Sequence, residues 1–259
     1  MPVSAFPGLT DSALALFAHD GFVVVRGLFS TSEVEQARRY VEEVASPSNV
    51  TSGDEPRRYS DDSARDRGRS LLSRVEYFRN THRGLGEMTR DPKLLGIVSL
   101  LLGEPAVLFK DKINYKRPGS SGFEPHQDAQ AGWETYAASF VTALVSVDST
   151  TIKNGCLEIA AKRHRDGLLG PLFAPIMGPP LESLTFQPVT TDAGDVVFFG
   201  ARTPHQSAPN CSGESRRVLY LTYNGLSAGD QYERYFAEKL QSYPPDDRRA
   251  PGALHRYRV

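Results

Sequence analysis

The amino-acid sequence predicts an all-β core with flanking helices, of the sandwich or jelly-roll class. From Val107 onward, hydrophobic side chains recur with a period of two, in short runs rich in β-branched and aromatic residues. Glycine, proline, asparagine and aspartate bound these runs, a pattern that favours a sandwich or jelly roll over alternating βαβ units. With 259 residues and 39% hydrophobic content, we expect one domain, residues 1–259.

The N-terminal region, residues 11–46, predicts two helices and a strand. Residues 11–19 begin with an aspartate at a plausible N-cap and carry apolar residues at helical spacing. Residues 22–25 then predict a buried strand. Ser30 and Glu33 have the spacing of a capping box, so a second, amphipathic helix should follow them to the end of this region.

The next segment, residues 47–70, is rich in Ser, Asp, Arg, Gly and Pro and has almost no apolar periodicity. Such a segment buries too little surface to hold one conformation, so we predict a mobile loop. Two interpretations remain open, namely a lid over an active site and an exposed insertion.

The rest of the chain predicts two further helices and six strands. Asp91 and Pro92 match an N-cap followed by proline at the first helical position, which begins a helix that ends near residue 102. A C-terminal helix is predicted at about residues 230–242. The predicted strands lie at residues 107–115, 138–147, 156–159, 185–189, 195–199 and 218–223.

Charge and composition favour a small-molecule partner. The 30 basic and 31 acidic residues give a net charge of −1, which offers no electrostatic reason to propose nucleic acid or an anionic membrane. No apolar run reaches the roughly 18 to 20 residues that span a bilayer, and the start of the chain lacks a leader pattern, so we expect a cytoplasmic protein. Cys156 and Cys211 lack the spacing of a zinc or redox motif, and we interpret them as buried or idle thiols.

One short stretch and one later histidine predict a metal centre. If residues 125–128 are extended, His126 and Asp128 point to the same face and Gln127 points away, because side chains alternate along a strand. His205 follows a strongly apolar strand and lies in the predicted loop after it, where ligands on a rigid β scaffold are expected. Two imidazoles and one carboxylate make up the facial triad of non-haem Fe(II) oxygenases.

The other four histidines are less suited to this role. His19 lies at the end of a predicted helix, His82 and His164 stand beside arginines in polar turns, and His255 is in the C-terminal tail. None of the four has a second possible ligand at a useful spacing. The metal hypothesis therefore depends on this elimination and on the position of His205, since an H-x-D triplet alone is a weak signal.

Two arginines begin the strand that follows His205. Arg216 and Arg217 come eleven and twelve residues after that histidine. Three protein ligands leave coordination positions for a chelating oxo-acid and for dioxygen, and the far carboxylate of the oxo-acid needs a cation such as arginine. Strand alternation places only one of the two arginines inside the barrel. The competing interpretation is that both are surface charges at the start of a strand.

Together these motifs resemble the phytanoyl-CoA dioxygenase family over nearly the whole chain. The resemblance implies a double-stranded β-helix, which is a cupin-like jelly roll with helices around it. It also implies Fe(II) and 2-oxoglutarate, which is decarboxylated to succinate while O2 oxidises a second substrate. The matching elements are G-F-V-V-V-R-G-L-F-S at 21–30, P-H-Q-D at 125–128, N-G-C-L at 154–157, G-D-V-V-F-F at 194–199, H-x-S-x-x-N at 205–210 and the arginine at 216.

The resemblance also implies residue roles. His126, Asp128 and His205 would bind iron, Arg216 would bind the distal carboxylate of 2-oxoglutarate, and Arg217 would face outward. Related halogenases replace the carboxylate ligand by a small residue to admit chloride, so the aspartate favours hydroxylation. One departure is visible, since the family commonly has a P-G-S-H turn after N-G-C-L. Here the chain reads A-A-K-R-H at 160–164, which puts the shape of that loop in doubt.

Alternate residues of the strand before the metal motif share one face. They are Lys110, Lys112, Asn114 and Lys116. If this face lines the barrel mouth, we expect Lys112 and Asn114 to join Arg216 at 2-oxoglutarate and Lys110 to contact an anionic substrate. The alternative is the solvated face of an edge strand that carries lysines against aggregation. Trp133 and Tyr136 are candidates for the substrate pocket, or else core aromatics.

The run K-D-K-I-N-Y-K at 110–116 and the segment P-H-Q-D-A-Q-A-G-W are similar to bacterial family members that hydroxylate small polar compounds, including 2-aminoethylphosphonate-type organophosphonates. We therefore expect hydroxylation of an unactivated C–H bond in a small polar or anionic substrate. A natural-product or amino-acid substrate is an alternative on the same site. From other classes, the alternatives are a zinc-dependent hydrolase with the same ligands, which lacks an obvious general base although Glu124 is close, and a non-catalytic jelly-roll binding protein.

Overall fold

The computed structural model describes residues 9–46, 55–64 and 68–249, whose strands form two antiparallel sheets. The strands are β1 (Phe22–Val25), β2 (Arg57–Asp62), β3 (Ser70–Glu76), β4 (Ala106–Lys116), β5 (Phe123–His126), β6 (Phe140–Ser146), β7 (Leu157–Ile159), β8 (Gln187–Val189), β9 (Val196–Gly200), β10 (His205–Ser207) and β11 (Arg216–Gly225). The larger sheet has the order β1-β9-β6-β11-β4-β3-β2, and the smaller has the order β5-β10-β7-β8.

Six helices lie in the described ranges, and most of them pack against the larger sheet. They are α1 (Asp11–Asp20), α2 (Thr31–Ala45), α3 (Arg83–Met88), α4 (Pro92–Leu102), α5 (Pro179–Glu182) and α6 (Tyr232–Ser242). Val41 of α2, Ile97 of α4 and Phe236 of α6 are fully buried in the hydrophobic cluster that this packing forms. None of the helices in the described ranges is long and apolar enough to cross a membrane.

Local sequence signals explain where the first helices begin. Ser30 accepts a hydrogen bond from the backbone N–H of Glu33, and the Glu33 carboxylate accepts one from Ser30, so the predicted capping box is formed. The first helix is capped by Thr10, which accepts from the N–H of Ala13. The N-cap is therefore one residue before the predicted Asp11.

The two sheets face each other across a second, smaller hydrophobic cluster. The apolar side chains of the larger sheet in this cluster come from β6, β9 and β11, and those of the smaller sheet come from β7 and β8. Fully or almost fully buried members are Leu144, Val197, Val218, Leu157 and Ile159. This face-to-face packing positions the smaller sheet, which carries both candidate metal-binding histidines, over the inner face of the larger one.

The prediction of a loop over residues 47–70 is wrong for its second half. Arg57–Asp62 forms β2, which pairs with β3 at the edge of the larger sheet. Tyr59 is fully buried there, and its ring stacks on Tyr243 with 5.3 Å between centroids. A strand of arginine, serine and aspartate carries no hydrophobic period, and its stability comes from contacts with distant parts of the chain. Residues 47–54 and 65–67 lie outside the described residues.

Candidate active site

Three side chains converge at one end of the smaller sheet. His126 and His205 are direct partners in the antiparallel pairing of β5 with β10, and their ring centroids are 4.2 Å apart. Asp128 Oδ1 lies 3.9 Å from Nε2 of His126 and 4.0 Å from Nε2 of His205. One ligand atom from each of the three residues lies within 4.8 Å of the other two. Their donor set suits a divalent cation with open coordination positions.

The backbone reaches this geometry in a different way from the predicted one. The strand ends at His126, and Asp128 is the first residue of a short 3-10 helix, Asp128–Ala131. Alternation along one strand therefore does not explain why the carboxylate faces the imidazoles; the tight turn after β5 does. His205 is the first residue of β10 rather than a loop residue, and strand pairing brings it to His126.

Hydrogen bonds orient both imidazoles for metal binding. Nδ1 of His126 lies 2.6 Å from the carbonyl oxygen of Glu124, and Nδ1 of His205 lies 2.9 Å from that of Thr203. A carbonyl can only accept, so each Nδ1 carries the proton and each Nε2 presents a lone pair toward Asp128. The chain thus selects the tautomer that a metal ion needs.

The protonation states fit the same purpose. Burial lowers the pKa of His126 to about 3, with a further contribution from His205, and burial likewise lowers the pKa of His205. Burial alone would raise the pKa of Asp128, but the two histidines and the lysines Lys112 and Lys110 lower it below its ordinary value. Neutral imidazoles and a charged carboxylate are the forms that coordinate a cation.

Two glutamines that the sequence did not mark as functional hold the ligand-bearing segment. The side chain of Gln127, which points away from the metal ligands, donates to the carbonyls of Gly167 and Arg202 and accepts from the N–H of Leu169. Gln130 is also fully buried and donates to the carbonyl groups of the same loop. The segment 167–174 is thereby tied to the turn that presents Asp128.

Arg216 and Arg217 have opposite environments. Arg217 forms ion pairs with Asp148 and Glu42. Arg216 is 1% exposed and interacts with the Tyr220 hydroxyl, while its Nε and Nη1 are buried without an acceptor among the described residues. Buried guanidinium N–H groups that lack an acceptor are costly, so an anion is expected there. The distal carboxylate of 2-oxoglutarate fits this requirement.

A cavity of about 640 Å³ opens beside the metal ligands. Lys110, Lys112 and Asn114 line it, whereas Lys116 does not. The interpretation of a solvated edge strand is wrong, because β4 is hydrogen-bonded to β11 on one side and to β3 on the other. Lys110 and Lys112 therefore face the cavity rather than bulk water.

The two aromatic candidates for the substrate pocket, Trp133 and Tyr136, have different surroundings. Trp133 lines the cavity and also packs against the core residues Phe109 and Phe140, so both interpretations apply to it. Tyr136 is not among the cavity-lining residues, and its hydroxyl donates to Glu238 near the surface. The prediction of Tyr136 as a pocket residue is therefore wrong, because the short 3-10 helix Trp133–Thr135 turns the chain toward α6.

Four cavity residues were not predicted as functional. Arg74 and Glu76 lie on β3, which was not predicted as a strand, and Ser207 and Tyr220 were not singled out. The alternation of Arg74 and Glu76 is the only sequence feature that could have indicated a shared face. The two cysteines are free, with Cys156 buried and Cys211 exposed.

The family model described as phytanoyl-CoA dioxygenase (PhyH) matches residues 17–218 of the chain. The chain belongs to this family. It is an Fe(II)- and 2-oxoglutarate-dependent dioxygenase, as the resemblance implied, and the cluster of His126, Asp128 and His205 has a donor set that could hold the iron. Family membership does not support the zinc-hydrolase alternative, nor does it support a non-catalytic binding protein.

Two curated relatives cover most of the PhyH-family chain. A methylphosphonate hydroxylase from Gimesia maris is 35% identical over 240 residues, which are 92% of this chain and 90% of the relative. A 2-aminoethylphosphonate dioxygenase from an uncultured bacterium is 38% identical over 195 residues, which are 72% of each chain.

Solved structures confirm the predicted jelly-roll fold of this dioxygenase. The epimerase SnoN aligns with a TM-score of 0.71 at 20% identity, over 95% of this chain and 92% of that one. EctD from S. alaskensis aligns with a TM-score of 0.71 at 19% identity, over 88% of this chain and 80% of that one. At these identities, the likeness concerns the fold.

Proposed function

We propose that this dioxygenase hydroxylates a small organophosphonate, of which methylphosphonate and 2-aminoethylphosphonate are the first candidates. The observation that carries the proposal is the ammonium of Lys110. It is 6% exposed, lines the cavity and forms no hydrogen bond or ion pair within the described ranges. Its Nζ lies over the rings of Trp133 and Tyr235, at 5.2 and 5.7 Å from their centroids. A buried ammonium that forms no direct ion pair favours an anionic ligand.

The neighbouring charges strengthen this preference. Lys112 and Arg74 also line the cavity, and Glu76, the acidic residue next to them, is engaged by the buried ammonium of Lys239. On strands β3 and β4 the cavity lining thus has three cations and one carboxylate, Glu76, which pairs with Lys239 and with Arg74, while Asp61, Glu124 and the metal-ligand candidate Asp128 line it elsewhere. A phosphonate near neutral pH carries up to two negative charges and three acceptor oxygens, which suits several cations better than a carboxylate does.

The comparisons support the same substrate class, since the two relatives described above are named for phosphonates. When bound, iron and 2-oxoglutarate supply the oxidation: one atom of O2 enters succinate, CO2 leaves, and a substrate C–H bond becomes C–OH. The chain would hold the phosphonate at Lys110, keep the cosubstrate near Arg216, Lys112 and Asn114, and fix the three metal ligands at the end of the smaller sheet.

A substrate panel tests the proposal. The protein with Fe(II), 2-oxoglutarate and O2 is incubated with methylphosphonate, with 2-aminoethylphosphonate, and with their carboxylate counterparts acetate and 3-aminopropanoate. We expect a phosphonate, but not its carboxylate counterpart, to stimulate succinate formation at least about tenfold, with a new phosphorus signal for the alcohol. Stimulation by amino acids or acyl-CoA compounds, and by no phosphonate, would contradict the proposal.

A pair of lysine variants locates the phosphonate. Lys110→Met should raise the KM for the phosphonate by roughly 10- to 100-fold, because a charge-assisted contact is lost, and leave the KM for 2-oxoglutarate within about threefold. The matched control is Lys153→Met, at an exposed lysine far from the cavity lining, which should change neither value. Equal rises in the KM for the phosphonate and in the KM for 2-oxoglutarate in Lys110→Met would contradict the assignment of Lys110 to the phosphonate site.

A further inference from the structure

Two threonines lie beside the candidate metal ligand Asp128. Thr142 of β6 and Thr222 of β11 are direct partners in the antiparallel pairing of those strands, and their hydroxyl oxygens are 2.9 Å apart. Both side chains are buried, and neither is among the described residues that line the active-site cavity. The pair can therefore influence the site through Asp128 rather than through a bound substrate.

The two carboxylate oxygens of Asp128 have different surroundings. Oδ1 lies 3.9 Å from Nε2 of His126 and 4.0 Å from Nε2 of His205, so this oxygen shares the candidate metal position with the imidazoles. Oδ2 lies 3.5 Å from the hydroxyl oxygen of Thr142, which makes a long hydrogen bond. One oxygen thus faces the other two ligands, and the second faces the larger sheet.

The direction of the hydrogen bonds follows from the chemistry of the groups. A carboxylate in the charged form that binds a cation can only accept, so Thr142 donates its one hydroxyl proton to Oδ2 of Asp128. The hydroxyl oxygen of Thr142 is then the acceptor in its contact with Thr222, and Thr222 is the donor. Thr222 therefore orients Thr142, and Thr142 orients the carboxylate.

The Asp128 carboxylate needs an outer partner, because the last torsion angle of an aspartate side chain has no sharp preference of its own. Within the described ranges, the contact with Thr142 is the only hydrogen bond of this carboxylate. Ligating carboxylates are commonly held by such partners, and loss of the partner weakens metal binding. The carbonyl groups of Glu124 and Thr203 do the same for the two histidines.

We propose that Thr142, oriented by Thr222, is a positioning residue for Asp128: it holds Oδ2 so that Oδ1 is presented beside His126 and His205. The proposal depends on Asp128 as a metal ligand and is independent of which organic substrate the enzyme oxidises. It predicts that loss of the Thr142 hydroxyl weakens metal binding, whereas loss of a comparable buried hydroxyl elsewhere does not.

Metal binding without turnover tests the proposal. The full chain, freed of metal, is titrated anaerobically with Fe(II) in competition with a chromogenic chelator. Thr142→Val keeps the shape of the side chain and should raise the Kd for Fe(II) by roughly 10- to 100-fold. Thr142→Ser restores the hydroxyl and should stay within about threefold of the wild type. A wild-type Kd in Thr142→Val, or equal weakening in Thr142→Ser, would overturn the proposal.

A second threonine pair provides the matched control. Thr150 and Thr191 form an isolated bridge, are buried, and also have hydroxyl oxygens 2.9 Å apart. Thr150→Val removes a hydroxyl of the same kind outside the cavity lining and should bind Fe(II) as the wild type does. The metal-free forms of Thr142→Val and Thr150→Val should lose similar amounts of melting temperature. Equal weakening of Fe(II) binding in both variants would show a structural effect and contradict positioning.

Thr222→Val tests the outer member of the pair. It should raise the Kd for Fe(II) by at least about threefold, since the hydrogen bond that orients Thr142 is lost. The double variant should bind Fe(II) as Thr142→Val alone does, because Thr222 acts through Thr142, and additive weakening would contradict this order. If Thr142→Val does not fold, Thr222→Val decides: wild-type affinity for Fe(II) in that variant overturns the proposal.

Discussion

One row of side chains crosses the inner face of the larger sheet, and it is apolar at one end and charged at the other. Direct cross-strand partners place Val197, Leu144, Tyr220, Lys112 and Glu76 side by side on that face. The first half packs against the apolar side chains of the smaller sheet, whereas the second half lines the cavity. The alternation that builds a core in one half builds a binding wall in the other.

The difference follows from what covers each half. The smaller sheet lies over the apolar half, and burial there contributes roughly 25 cal/mol for each Å² removed from water. Over the charged half, the buried Glu76 and Lys239 compensate each other, since an isolated buried charge would cost several kcal/mol. We therefore expect the apolar half to control stability and the charged half to control ligand binding, with Glu76 contributing to both.

Asp128→Ala is expected to have the largest effect, on iron binding and on kcat/KM. Asp128 Oδ2 lies 3.5 Å from the hydroxyl of Thr142 on β6, the neighbour of the central strand β11. Asp128→Ala should remove iron binding and lower kcat/KM by more than the roughly 10- to 100-fold that loss of an outer partner of a ligand costs. Its melting temperature in the metal-free state should stay within a few degrees of the wild type. Retention of the visible band of the Fe(II)–2-oxoglutarate chelate in this variant would remove Asp128 from the ligand set.

Glu76→Gln should have the next largest effect, on stability. It leaves the buried Lys239 ammonium without its carboxylate, which typically costs about 3 to 5 kcal/mol in the free energy of unfolding. Urea denaturation at pH 7 measures this loss. A change below about 1 kcal/mol would show that the charged half does not need the ion pair.

Glu76→Gln also tests how the stability of the protein depends on pH. Burial would raise the pKa of Glu76, but Lys239, Lys110 and Arg74 lower it to about 2, below its ordinary value of 4.5. Its stabilising contribution is therefore complete above about pH 4.5 and is lost as the pH falls toward 2. The stability difference between wild type and Glu76→Gln should shrink across that window, and a constant difference would contradict the assigned charge state.

Leu144→Ala tests the apolar half and should have a somewhat smaller effect. Leu144 is 2% exposed, and deletion of a buried leucine side chain costs about 2 to 5 kcal/mol. The folded variant should keep its KM for 2-oxoglutarate within about threefold, as kinetic assays well below its melting temperature would show. A large rise in the KM for 2-oxoglutarate with little loss of stability would contradict the expectation that the apolar half controls stability and the charged half controls ligand binding.

Local patterns predicted much of the fold correctly. The capping box at Ser30, the period-two runs and the motifs around His126 and His205 led to the jelly-roll class and to the dioxygenase family. These features are readable because capping, alternation and ligand chemistry depend on residues close in sequence or on residue type. The strands β2 and β3 were missed because polar side chains such as Arg57 and Arg74 are buried there by aromatic rings and acidic partners from elsewhere in the chain.

The sequence by itself determined which side chains can bind iron and which arginines can bind a carboxylate, since these are properties of residue type and spacing. Only the tertiary structure decided which charges are paired. Glu76 forms an ion pair with Lys239 of α6, the Lys110 ammonium lies over aromatic rings, and Lys116 forms a hydrogen bond with Ser207. The physical reason is that both Coulomb attraction and the cost of desolvation depend on distance and burial, which strand register and helix packing set.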